Sequence, residues 1–309
     1  LHCLAILYKI LKQNFSFIYI KFIKKIYFPL VDNFFKKKEG IMSAVTMNSG
    51  LEKTALNNSK IGPFKYLQEL LANRPYHCFE VVKSAGDFLI NGLHLTGAMV
   101  LNTHKGLVKL VNTENLIFFA QDVAALPEES RKLGAKISGW WNGSTTFLTT
   151  MNQVRKFTGH IGSTVGDYVG SVAALKDLKI TVGGLDFLSE RVGNIGSAIG
   201  AGSRLVDSIS GDNIPSTPHQ LEPALAKVRQ PIEQSKVFWD ATRDVSILAL
   251  SVLCIGLGGG AAVPALVMTG FSASILAGRM LAFYNEARLK ALDASYPQLK
   301  ASEKVITAA

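Results

Sequence analysis

Three features of this 309-residue chain have residue types and spacing that could do chemistry. His77 stands beside Cys78, the two side chains that a thiolate nucleophile and its base would use. Neighbouring positions on a helix point apart, so the pair reads more simply as a structural cysteine next to a histidine. The second feature is a set of scattered histidines, His94, His104, His160 and His219. None is paired at helical spacing with an intervening acid, as a zinc site on one helix face requires. Cys3, Cys78 and Cys254 have neither metal-ligand spacing nor the number for a disulfide framework.

The third feature is Val252-Leu253-Cys254-Ile255-Gly256-Leu257-Gly258-Gly259-Gly260-Ala261, which matches a G-x-G-x-x-A loop after an apolar run. Such a loop lets a backbone approach a phosphate at a helix start. A dinucleotide site also needs a strand ending in an acid about 20 residues on. Leu276 and Arg279 hold that region, and Glu286 comes late, inside a helical pattern. The chain after Ala261 is too short for the rest of a sheet. No catalytic, cofactor-binding or metal-binding residue is assigned, no small-molecule substrate is expected, and the chain reads as non-enzymatic.

Net charge is +10 and charged residues are 18% of the chain, against roughly a quarter in ordinary soluble domains. The excess of lysine is concentrated in residues 1–41, where Lys36, Lys37 and Lys38 end a segment dominated by Ile, Phe, Lys, Tyr and Asn. What remains is too thinly basic to call for nucleic acid. That first segment opens on Leu1, and its composition is the one AT-rich codons produce. Lys38-Glu39-Gly40-Ile41-Met42 can be encoded with a bacterial ribosome-binding sequence just ahead of an ATG. Residues 1–41 are therefore expected to be a translated leader ahead of a start at Met42. The rival is a membrane anchor, but Lys21, Lys24 and Lys25 interrupt the span of about 20 apolar residues it needs.

The elements that would position any site are helical. Residues 42–61 are rich in Ser, Thr and Asn and read as a flexible polar end, a possible secretion signal. Residues 62–210 carry apolar residues at three- and four-residue steps, expected as a helical domain. One helix should stop near Leu126, and Pro127-Glu128-Glu129 should open another. Two long antiparallel helices follow, marked by Phe147, Met151, Val154, Ile161, Val165 and Tyr168, then by Leu188, Val192, Ile195 and Ile199. Gly162, Gly166 and Gly170 on one, and Gly196 and Gly200 on the other, recur every fourth residue. Inside a helix each costs up to ~1 kcal/mol relative to alanine, and close helix–helix packing is the usual reason to keep them.

Pro215, Pro218 and Pro223 mark residues 211–223 as a linker and domain boundary. Residues 224–309 then contain a long run without charge, from Val245 to Gly278. It is too long for one span of about 20 residues, and Gly258, Gly259, Gly260 and Pro264 break it. The expectation is a hydrophobic hairpin over residues 245–284, with arms at 245–257 and 265–284. Trp239, Phe283 and Tyr284 sit where interfacial aromatics would, and Arg243 and Arg279 where snorkelling cations would. All flank one end of the hairpin, which puts both termini on the cytosolic side. A buried hairpin in a soluble bundle is the plain alternative.

The expected fold is all-α: a bundle of long antiparallel helices with a C-terminal hydrophobic hairpin. A polar start at Met42, a helical body and a bilobed hydrophobic segment with a glycine turn resemble the inclusion membrane proteins of Chlamydia and its relatives. The resemblance implies type III secretion, insertion of the hairpin in the membrane of the pathogen's vacuole, and a helical domain facing host cytosol. The implied partners are membrane lipid and a host or self protein. Two other classes share these elements: a secreted membrane-active translocator or pore component, and a soluble helical scaffold.

Overall fold

The computed structural model describes residues 50–62, 66, 75–96, 101–177, 190–210, 214, 223–260 and 263–308. The expected leader at 1–41 and most of the linker lie outside the described residues. Seven helices account for the regular structure among them, with no strand: α1 Gly50–Asn58, α2 Pro75–Thr96, α3 Leu101–Trp141, α4 Phe147–Asp177, α5 Glu190–Ser210, α6 Pro223–Leu257 and α7 Ala265–Ala308. The all-α expectation holds.

Local chemistry explains the boundaries. Pro75 and Pro223 open α2 and α6 at the position where a missing N–H costs nothing. Glu190 places a carboxylate at the positive end of α5. Two arms of the hydrophobic hairpin meet where expected, α6 ending at Leu257 and α7 starting at Ala265. Gly258 and Gly259 have φ of 85° and 140°, a region that favours glycine. The Gly259 N–H caps α6 by donating to the Cys254 carbonyl at 2.8 Å. On the far side of the turn the Pro264 carbonyl accepts from the Val267 N–H at 2.9 Å.

Two expectations are corrected. Residues 42–61 are not all flexible, since α1 forms within them and buries Ala55 completely. Nor does Pro127 start a helix, because α3 runs straight through it. A proline inside a helix costs about 3 kcal/mol, and packing on α4 to either side offsets that. The Asn115 amide donates to the Gly170 carbonyl at 3.3 Å before the proline, and the Thr150 hydroxyl to the Lys136 carbonyl at 3.2 Å after it.

The helices close into a ring. From α2 to α7 each packs on the next in sequence, and α7 packs back on α2. The segment at 211–223 therefore joins two adjacent walls, α5 and α6, rather than separating two packed bodies. Beyond one rim of the ring, α1 lies across α6 and α7 and forms a base. Ala55, Leu225, Val228 and Leu292 are its apolar core, none more than 3% exposed. Arg229 is buried against it, bonded to Asp293 and, at 2.5 Å, to Glu233. Burial opposes the charge of Arg229, but the hydrogen bonds to Asp293 and Glu233 outweigh it and hold its pKa above the usual guanidinium value.

Candidate functional site: the lumen of the helical ring

The ring surrounds an open cavity of about 640 Å³ lined by side chains from all six of its helices. Its walls are brought together by small residues. A Cβ built on Gly162 would sit 2.7 Å from the Gly196 carbonyl oxygen, and one on Gly196 would sit 2.5 Å from that of Gly162. Gly166 and Gly200 face the hydroxyls of Ser197 and Ser163 in the same seam. Gly170 belongs to a different contact, against Asn115 of α3. Gly159 and Gly193 extend the α4–α5 seam, each three residues before a glycine of the four-residue series rather than four.

Charged side chains line the lumen. Near the base, Arg243 is only 8% exposed; its Nη2 donates to Asp244 Oδ2 at 2.8 Å, and its Nη1 lies 3.0 Å from Asp240 Oδ1. Arg204 reaches the same Asp244 at 3.2 Å and donates to Ser163 Oγ at 2.8 Å. Arg279 Nη1 donates to the Glu80 carbonyl at 2.7 Å. Arg155 Nη2 lies 2.6 Å from Asp207 Oδ1. Halfway along, Lys83 Nζ is 3.5 Å from Asp167 Oδ1, and His160 Nε2 is 2.9 Å from the Asp122 carbonyl oxygen. At the far rim Glu190 accepts from the Gly260 N–H, and the Asn91 amide donates to Ser272 Oγ at 2.7 Å.

The expected interfacial residues are thus placed differently. Arg243 and Arg279 do not snorkel outward; they point into the ring, held by Asp240, Asp244 and Glu80. Phe283 is 5% exposed and stacks on His77 with centroids 3.9 Å apart, which gives His77 a packing role. The Tyr284 hydroxyl donates to the Ile61 carbonyl at 3.2 Å, and Trp239 is half-buried beside Phe238. Gly258 and Gly259 form the hairpin turn against Arg191 and Glu190, not a phosphate cradle.

Outside, the ring exposes large apolar side chains. Leu89, Ile161, Ile195, Ile199, Val252 and Leu266 are between 38% and 67% exposed and represent five of its six walls. Exposed charges on these helices are Lys109, Glu128, Arg131 and Lys132 on α3, Glu190 and Arg191 at the start of α5, and Lys227 and Lys290 beside the base. One described helix, over Ala265–Ser295, is long and apolar enough to cross a membrane. The others carry charges that lower their mean hydropathy, among them the inward-facing Glu80, Lys83, Asp87, Asp167, Arg204 and Arg243. At the same end as the base, the α3–α4 tip exposes Trp141 and Leu148. No known protein family, curated protein or solved structure matches this chain.

Sequence reasoning missed the lumen. Its signal was present in α2, where Glu80, Lys83, Ser84, Asp87 and Asn91 recur at helical spacing on a helix otherwise apolar. The closing contact of α7 on α2 joins helices far apart in sequence, and no local pattern specifies it.

Proposed function

We propose that this chain is a non-enzymatic membrane protein whose six-helix ring sits in a bilayer around a polar lumen that admits small charged solutes. The carrying observation is that ion pairs line the inside of the ring while large apolar side chains are exposed on its α2, α4, α5, α6 and α7 walls. In hydrocarbon, ionisable side chains face the bundle interior or a water-filled cavity and pair with one another. Glycine and serine seams such as that between α4 and α5 are the usual packing of helices in lipid. The dimensions agree, since the 22 residues of α2 and the 21 of α5 span about 32 Å, and a bilayer core is about 30 Å thick. The hydrophobic hairpin supplies two of six walls and enters the membrane as part of the ring.

An even number of walls puts the base and both chain ends on one side. Lys227, Arg229, Lys236, Arg288 and Lys290 cluster there, as cytosolic segments do. This reading joins the pore class to the membrane placement, and the resemblance to inclusion membrane proteins makes a vacuolar membrane the first to examine. Alkaline carbonate washing of membranes from cells expressing the chain tests it. The protein is expected to stay in the pellet; release as a monomer overturns the reading in favour of a soluble scaffold.

A further inference from the structure

We infer that the tip of the α3–α4 hairpin is a lipid-insertion wedge that docks on an anionic membrane surface facing the base side of the ring. Trp141 is 83% exposed and Leu148 79%, with Phe147, Trp140 and Met151 exposed beside them. Two of the three tryptophans of the chain are here, and tryptophan is enriched where a membrane meets water. Along α4, Phe147 lies about 30 Å from Asp167, whereas on α2 Pro75 lies about 12 Å from Lys83, which faces Asp167. The tip therefore overhangs the start of α2 by about 18 Å. In the membrane reading above, that places it outside the bilayer that holds the ring. Insertion of the wedge stands on the tip alone; the bridging of two membranes rests on that reading.

Three observations single out lipid as the occupant. The turn satisfies its own backbone: the N–H groups of Asn142, Gly143 and Ser144 donate to the carbonyls of Ser138, Trp140 and Gly139 at 3.0, 3.1 and 2.8 Å. The Thr149 N–H donates to Thr146 Oγ1 at 3.2 Å, and the Thr145 and Thr150 hydroxyls both donate to the Lys136 carbonyl. A backbone without unmet polar groups is what entry into lipid requires. Trp140 and Phe147 pack across the turn with ring centroids 5.7 Å apart, so the aromatic surface is preformed. The second observation is size. Two helices, each about 10 Å across, present about 200 Å² end-on, well short of the roughly 800 Å² that a partner gives a standard protein interface. The third is charge. Between Glu129 and Asp167 the sequence has no acid and five cations, Arg131, Lys132, Lys136, Arg155 and Lys156. Lys132 pairs with Glu128 and Glu129, and Arg155 and Lys156 share Asp207. Five cations against three acids leave the hairpin end net positive. Lys136, about 8 Å back along α3 from Trp141, is within a Debye length of the headgroups the tip would touch, and such cations are drawn to anionic lipid.

The test mixes the full chain, reconstituted in phosphatidylcholine vesicles, with acceptor vesicles of equimolar phosphatidylserine and phosphatidylcholine carrying brominated acyl chains. Capture of acceptors is read by flotation, and lipid contact by quenching of tryptophan fluorescence. Wild-type chain should capture the acceptors with quenching, and added salt should weaken the capture. Trp141→Ser combined with Leu148→Ser should lower acceptor affinity about tenfold or more, the scale for withdrawing a large apolar side chain from burial. Both side chains are exposed, so circular dichroism should be unchanged. Trp141→Phe should keep most of the capture, and Lys136→Glu should weaken it. Unchanged capture by the double variant, or equal capture of acceptors made of phosphatidylcholine alone, would overturn the inference. So would clustering of the chain-bearing vesicles without acceptors, the sign of a second copy on the tip. Carbonate-resistant protein that captures no acceptors defeats the wedge and leaves the membrane reading standing. Carbonate-released protein defeats the membrane reading, and flotation of that chain with the acceptors, wild type against double variant, then decides the wedge by itself.

Discussion

The base and the ring are built by one chain on opposite plans. In the base, Leu225, Val228 and Leu292 are inside and Lys290 is outside. In the ring, Arg243, Asp244 and Glu80 are inside, and Leu89, Ile199 and Val252 are outside. The two share helices: α6 and α7 each run from one region into the other. On α6 the change falls near Asp240, where Lys236 and Asp240 bond at 2.7 Å. Under the proposed membrane placement, this change along α6 and α7 is where the solvent boundary falls.

Breaking the ring without touching the base is the largest expected effect. Gly196→Leu places a side chain where even a Cβ meets backbone at 2.5 Å. A cost of about 3 kcal/mol or more is expected from overpacking, read as loss of the protease-resistant α4–α5 fragment, with the α1–α6–α7 fragment still protected. Persistence of both fragments would count against the seam. The converse variant, Leu292→Ala, opens a cavity in the base and should cost about 3 kcal/mol. Thermal unfolding in detergent should show the early loss of α1 protection while carbonate resistance is kept.

Ile199→Lys probes the boundary itself. It is 43% exposed at the middle of α5, so in water the change should be within about 0.5 kcal/mol. In a bilayer it should cost about 3 kcal/mol, seen as a fall in the carbonate-resistant fraction. Equal insertion of variant and wild type would erase the distinction between ring and base. Smallest of all is Lys290→Ala on the base, whose exposed ion pair with Glu286 spans 3.5 Å. Its effect on melting should correspond to about 0.5 kcal/mol or less.

The comparison also explains what was legible in the sequence. Helix type, the hairpin turn at Gly258-Gly259 and the antiparallel pairing of α4 with α5 rest on short-range rules: period, positive φ, glycine spacing. Those survive any tertiary context that keeps the helices. What failed was the direction of the faces. Phe147, Met151 and Ile161 follow the three–four step that ordinarily marks a buried stripe, yet each is at least 38% exposed. Arg243 and Arg279 looked like surface anchors because arginine at the end of an apolar arm commonly is one. Periodicity reports that two faces differ, and it carries no sign for which one is inside.

Residue order alone determined that this chain would be helical, where its hydrophobic arms meet, and which helices would approach closely, because each depends on residues a few positions apart. The inward turn of the charges and the helix carried through Pro127 were decided by the tertiary structure. The second depends on α3 packing against α4, and the first on α7 closing against α2 across nearly two hundred residues. Only that closure gives the polar faces a common interior in which to pair.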